Sequence, residues 1–246
     1  MNTQNTVEQM QQLNLQGMVK RYEIVLALPL HEQPESHTLM ANLAEAEIQY
    51  RSHKRTSRNL SRSKLRYNAL PEQVHCSAER GLSKEQLLQL CEGDYIAKGE
   101  NILITASTGC GKSFLACALG RQACLTDYST LYYSMSRFIE TLSAARLDGT
   151  YVKWVNQIAR TPLLILEDFG LNPLDHKIRL SLLDILEDRY GKHATIITSQ
   201  LPVNKWHEYI GEVTLADAIM DRLTAHAHKI ELRGASLRKG KKVSNP

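Results

Sequence analysis

The sequence predicts an α/β fold: a P-loop nucleotide-binding domain with a central parallel sheet, preceded by a small all-α domain. Three observations predict it. A β-branched run at 101–105 leads through a glycine loop into Gly111-Lys112-Ser113 and an apolar-periodic segment, which is the order strand, phosphate loop, helix. A later run at 162–166 is continuously apolar and ends in carboxylates, as a parallel strand buried on both faces does, and the β-branched run at 194–198 reads as another buried strand ending in polar groups. Upstream of residue 68, by contrast, apolar residues recur at helical spacing.

With 246 residues, 43% of them hydrophobic, the chain can bury a core large enough for one domain with an appendage or for two small domains. No apolar run approaches the ~18 residues needed to cross a bilayer, and residues 1–6 open no leader-like pattern, so a cytoplasmic protein without a membrane partner is expected. Cys76, Cys91, Cys110, Cys117 and Cys124 are odd in number and never stand as C-x-x-C, which points away from a disulfide framework or a zinc cluster. Cys117 and Cys124 share a helix face and are expected in the core. The net charge of +4 would be unremarkable if evenly spread.

It is not evenly spread. Residues 6–28 and 38–50 carry Leu, Met, Ile and Ala at helical spacing, interrupted by Gly17, Pro29 and Pro34. Arg51, Lys54, Arg55, Arg58, Arg62, Lys64 and Arg66 follow, with no acid before Glu72. We therefore expect a helical N-terminal domain, residues 1–68, ending in a basic arm that contacts DNA phosphates. A solvated helix face is the plainer reading of such a run. Neutralising about five phosphates gives a log K versus log[salt] slope of roughly −4 to −5. Residues 68–81, with Pro71 and mixed polar composition, read as a linker. Residues 83–91, opening S-K-E-Q and followed by Gly93, read as a capped helix entering a nucleotide domain that occupies 69–246.

The candidate ATP-binding residues are Ser107, Thr108, Gly109, Cys110, Gly111, Lys112, Ser113 and Phe114. Backbone N–H groups and a helix N-terminus must converge there on phosphate oxygens, which Cβ atoms would obstruct. Lys112 is expected to reach the β- and γ-phosphates, and the Ser113 hydroxyl to take one Mg²⁺ position. The usual G-x-x-x-x-G-K-[ST] pattern has Ala106 in place of its first glycine. If that position needs a positive φ, alanine costs roughly 1 kcal/mol.

A second strand is expected at 130–134 and two helices at 135–147 and 151–160. The run 162–170 ends in Glu167-Asp168, and carboxylates at the end of a buried strand are expensive unless they meet a cation or hydrogen bonds. Glu167 is assigned to Mg²⁺ and its water shell and Asp168 to polarising the attacking water, with the reverse assignment open. An amphipathic helix at 174–190 precedes the strand 194–200, where Ser199 or Gln200 is placed to sense the γ-phosphate. A helix at 215–225 contains Asp221-Arg222-Leu223, and a strand at 228–232 precedes the basic tail Arg233, Arg238, Lys239, Lys241 and Lys242. His226 and His228 read as surface or packing residues, and Trp154 and Trp206 as core.

The ordered set ASTGCGKS, LLILEDFG, TIITSQLP, LADAIMDRL and GASLRK, with NLQGM and ERGLSKEQLLQLCEGDYIAKGENILI before it, resembles the IstB-like helper ATPases of bacterial insertion sequences. These are AAA+ proteins near the DnaC-type helicase loaders and DnaA-type initiators. The resemblance implies an AAA+ ATPase domain and an ATP-controlled homo-oligomer that binds double-stranded DNA and assists a separate transposase in target capture. It also implies that Arg222 is an arginine finger acting on a neighbouring subunit's nucleotide and Arg238 a second sensor. Arg146 and Lys153, on the helical pair after the second strand, become further DNA candidates. The plainer reading of Arg222 is an intrahelical pair with an acid. The Glu-Asp order departs from the Asp-Glu of many P-loop ATPases and points to slow turnover. A DnaC-like loader, a small-molecule P-loop kinase and a nucleotide-gated DNA scaffold with negligible hydrolysis are the alternatives.

Overall fold

The computed structural model describes residues 3–237. The chain divides into two compact units, residues 1–58 and 59–246.

In the first unit, α1 (Thr3–Gln12) and α2 (Gln16–Leu26) precede α3 (Ser36–Ser63), which runs on past the unit boundary. The anchor of this unit is the buried Glu47 carboxylate. It accepts the Gly17 and Met18 N–H groups at 2.7 and 3.2 Å and the Arg51 guanidinium at 2.7 Å. Two of the orphan donors at the start of α2 are thereby satisfied by a charge that the helix dipole favours. Burial alone would raise the Glu47 carboxyl, yet Arg51 and the two amides hold it below the usual carboxylate range.

The second unit is a three-layer α/β/α sandwich. After α4 (Lys84–Glu92) and α5 (Asp94–Lys98), the elements alternate: β1 (Asn101–Ala106), α6 (Lys112–Leu125), β2 (Thr130–Ser134), α7 (Met135–Leu147), α8 (Tyr151–Ala159), β3 (Leu163–Phe169), α9 (His176–Arg189) and β4 (Ala194–Ser199). The short α10 (Trp206–Ile210), α11 (Val213–Thr224) and β5 (Ala227–Leu232) complete it. All strand pairs are parallel, in the order β2-β3-β4-β1-β5. Parallel strands need crossovers, and the α-helices that make them cover both faces. Ile102, Ile104, Leu163, Ile165 and Ile196 pack with Leu115 and Leu119 of α6 on one face. Leu103, Leu164, Leu166 and Ile197 pack with Phe138, Trp154, Ile185 and Ile219 on the other. Trp154 and Trp206 both belong to this second core, as the sequence predicts.

Residues 68–81 are not a loose linker. Ala69 is fully buried against Cys117 and Ala118 of α6, and two 3-10 turns, Pro71–Gln73 and Ala78–Arg80, carry the chain to the fully buried Leu82. Pro71 and the polar composition mark tight turns here, not disorder. Cys117 and Cys124 are buried, and burial pushes the Cys117 thiol up to about 11.

Candidate functional site

The parallel order leaves β4 between β1 and β3, so the C-terminal ends of three strands present the phosphate loop, a polar strand end and the acidic pair side by side. In open α/β sheets ligands bind outside the carboxyl ends of the strands.

The loop joins β1 to α6 through Gly109 at φ 86° and Gly111 at φ 97°, values that L side chains rarely adopt. Ala106 does not share that demand. It is the last residue of β1, is not among the positive-φ residues, and carries no conformational cost for replacing glycine. Lys112 is buried, with its Nζ donating to the carbonyls of Ala106 at 2.8 Å and Ser107 at 3.1 Å. The loop's own backbone thus holds the ammonium at the head of α6, where Ser113 and Phe114 follow it.

The acidic pair owes its placement to a β-bulge. Leu166 pairs with Ile197 and Phe169 with Ser199, so Glu167 and Asp168 together oppose Thr198 alone. Asp168 takes up the extra residue at φ 62°, and its N–H donates to the Thr198 hydroxyl at 3.3 Å. The bulge re-phases the strand, so Phe169 joins the same core as Leu164 and Leu166 and packs on Trp206 and Tyr209. Strict alternation would have sent it to the opposite face. Glu167 is 1% exposed and is met by Arg66, whose Nη1 lies 3.4 and 3.3 Å from its two oxygens.

Of the two sensor candidates, Ser199 is fully buried and occupied, donating to the Phe169 carbonyl and accepting from the Leu201 N–H. Gln200 is exposed and accepts from the Thr108 hydroxyl at 2.8 Å, which ties the end of β4 to the phosphate loop. Of the two, Gln200 is the one whose side chain is exposed and meets the loop. Across the loop, the Arg80 guanidinium donates to the Cys110 carbonyl at 2.9 Å. The segment after β5 is fastened there too: the Leu237 N–H donates to the Gly109 carbonyl at 2.9 Å and the Cys110 thiol to the Gly234 carbonyl at 3.2 Å. Sequence reasoning missed Arg80 and this segment, although both lie inside the stretches that carry the family resemblance.

The remaining candidates are distributed differently from the expectation. Arg222, in the last turn of α11, forks onto Glu187 of α9 at 2.7 and 3.2 Å and also meets Asp221 at 2.8 Å. Its carbonyl accepts from Asn101, the first residue of β1. β1 has six residues and so is about 20 Å long, which puts Arg222 at the opposite pole of the sheet from its own phosphate loop. Arg238 lies outside the described residues, as do Lys239, Lys241 and Lys242. Arg146 is exposed on α7, as expected, and also donates to the Ser181 hydroxyl at 2.7 Å and lies over the Tyr151 ring. Lys153 is exposed on α8.

In the basic run, Arg51 and Arg66 turn out to have acid partners, Glu47 and Glu167, which lie outside the stretch scanned for compensating charge. Lys54, Arg55 and Arg58 are exposed and recur at helical spacing on one side of α3. Arg62 and Lys64 are exposed in the second unit.

Comparison with known proteins decides the family, since the model of the IstB-like ATP binding protein matches residues 8–245. The chain belongs to the IstB-like ATP-binding proteins. A relative from Sinorhizobium fredii, named as an insertion sequence ATP-binding protein, is 43% identical over 237 residues and covers 96% of this chain and 97% of its own. Another, named for insertion sequence IS1162 of Pseudomonas fluorescens, is 38% identical, covering 82% of this chain and 88% of its own. Among solved structures, DnaI is similar at a TM-score of 0.58 and 19% identity, over 69% of this chain and 90% of its own. The DnaC helicase loader follows at 0.57 and 18%, over 68% and 98%. These likenesses establish the AAA+ P-loop fold of an ATP-binding family.

An ATP-bound Mg²⁺ fits the residues present. A hydroxyl at Ser113 and a carboxylate at Glu167 are hard oxygen donors. Among the described residues no cluster of three or more His, Cys, Asp or Glu could make an all-protein cage.

Proposed function

We propose that this chain is an ATP-dependent, DNA-binding oligomeric ATPase that assists a transposase in capturing target DNA from a cytoplasmic location. The observation that carries the reading is the meeting at one sheet edge of the glycine loop with Lys112, the bulged Glu167-Asp168 pair and Gln200 on Thr108. It occurs in a chain whose relatives along nearly its whole length are named for insertion sequences. Helicase loaders match about two thirds of this chain, and their likeness rests on the ATPase fold alone.

In this reading the N–H groups at the head of α6 and the Lys112 ammonium bind the phosphates, and Lys112 exchanges the Ala106 and Ser107 carbonyls for phosphate oxygens. Ser113 and Glu167 would hold Mg²⁺, which would supply charge neutralisation at the phosphates. Asp168, half-buried and aimed by the bulge, accepts the proton of the attacking water, while Gln200 orients that water or reports the γ-phosphate. Arg222 lies too far from its own loop to act in the same chain, so its chemistry is open only to a neighbour's nucleotide. Lys54, Arg55, Arg58 and Arg62 contact DNA phosphates without reading bases.

The test is ATP hydrolysis and particle mass with and without duplex DNA. The wild-type chain is expected to assemble and to turn over faster on DNA, Lys112→Ala to lose nucleotide binding and assembly, and Arg222→Ala to keep binding and lose most turnover. A chain that stays monomeric and binds no duplex with saturating Mg-ATP at low salt overturns the reading.

A further inference from the structure

The carboxylate that would hold Mg²⁺ already has a cation. Glu167 is 1% exposed, and an ionised carboxylate at that depth needs a partner. Among the described residues its ion-pair partner is Arg66, and the pair is unusual in three ways. It is loose: one nitrogen bridges both oxygens at 3.4 and 3.3 Å, whereas a tight charge-assisted fork closes to about 2.7–2.9 Å. It is accessible, because the Arg66 side chain is 48% exposed. It also belongs to the basic run, since Arg66 follows the exposed Arg62 and Lys64, and Lys64 at φ 55° turns the chain off the end of α3 toward the acidic strand end.

Through Tyr67, Arg66 is also connected to the first turn of the loop helix. Its guanidinium lies 5.4 Å over the Tyr67 ring, and that ring is 6.4 Å from the Phe114 ring, next to Ser113. One side chain therefore links the basic run, the acidic pair and the head of α6. A guanidinium and a divalent cation on the same carboxylate repel one another. A DNA phosphate offers the guanidinium an equivalent or better anion.

We propose that Arg66 is an exchangeable counter-ion: duplex phosphate and Glu167 compete for it, so DNA on the basic run frees Glu167 for Mg²⁺. Binding of DNA and of Mg-nucleotide then reinforce each other by the same factor in both directions, as linkage requires. This rests on the proposed function and adds to it a positioning residue that couples its two ligands.

The experiment measures duplex affinity by fluorescence anisotropy with and without a non-hydrolysable ATP analogue and Mg²⁺, and analogue affinity with and without duplex, across a salt series. In the wild type each ligand is expected to tighten the other on the order of tenfold. Arg66→Gln should bind Mg-analogue more tightly without DNA, show coupling below about twofold, and, with Mg-analogue present, lose about one from its duplex salt slope. Arg66→Lys should restore part of the coupling. Glu167→Gln needs neither metal nor nucleotide for its readout: releasing Arg66, it should tighten metal-free duplex binding several-fold and steepen the salt slope by about one. Full wild-type coupling in Arg66→Gln, or wild-type metal-free affinity and slope in Glu167→Gln, overturns the proposal and leaves the function untouched. A wild-type chain that binds Mg-analogue but no duplex overturns the function itself.

Discussion

Two of the ions buried around the sheet, Arg189 near one end and Glu167 near the other, are held in opposite ways. Arg189, at the end of α9, is 1% exposed. Its guanidinium is satisfied by the carbonyls of Ile158 and Thr161 at 2.7 Å, by the Thr195 hydroxyl at 3.1 Å and by the Ala194 carbonyl. Burial pulls its pKa down, but four fixed acceptors solvate the charge. Glu167, at the far end, is equally buried, and among the described residues its ion-pair partner is one half-exposed side chain that meets its two oxygens at 3.4 and 3.3 Å. Fixed dipoles that belong to the fold make a permanent joint, since Arg189 ties the starts of β3 and β4 to α8 and α9. One removable partner makes a site that can change occupant. Between Arg189 and Glu167, depth of burial draws no distinction; the mobility of the partner does.

Four substitutions test that contrast. Arg189→Leu should have the largest effect on folding, lowering stability by about 3–5 kcal/mol, because it strands several buried acceptors at once; thermal melting with bound nucleotide checks it. Glu47, held by two amides and one arginine, should rank between the two, with Glu47→Ala costing about 2 kcal/mol confined to the helical N-terminal unit. Its depressed pKa fixes the sign of a pH effect: the stabilisation is full above the ordinary glutamate value of 4.5 and is lost as pH falls through the folded value. Hydrogen exchange of α2 amides across that acid range reads it, and a pH-independent unit would break the ranking. Glu167→Leu should leave stability within about 1 kcal/mol of wild type, since the released Arg66 reaches water, while Mg²⁺-dependent tightening of nucleotide disappears. Smallest of all, Asp168→Gly should shift stability by no more than about 0.5 kcal/mol, relief of the left-handed backbone offsetting the entropy of glycine, yet lower turnover strongly. A loss above about 1 kcal/mol would give the Asp168 side chain a structural task.

Much of this was legible in the chain. The continuously apolar run at the start of β3 and the β-branched run of β4 announced buried parallel strands, and the spacing of Gly109, Gly111, Lys112 and Ser113 announced the loop. What stayed hidden has physical reasons. Arg66 and Glu167 are 101 residues apart, and no local pattern marks such a pairing. Leu-Glu-Asp-Phe reads as ordinary strand, so the bulge shows only where Phe169 turns up in the core of Leu164 and Leu166. Arg146 reads as a free surface cation because Ser181 lies on another helix. The segment 68–81 reads as linker because tight 3-10 turns and disordered chain draw on the same residues.

The placement of Arg222 beside Asn101 gives each copy of this chain a direction. A copy that lends this arginine to another copy's phosphate loop joins unlike surfaces, so a pair built this way keeps one unserved loop and one unused arginine. Such a contact is heterologous: it propagates from copy to copy until the rotation closes a ring or continues as a helix, and a row of copies has a distinguishable front and back.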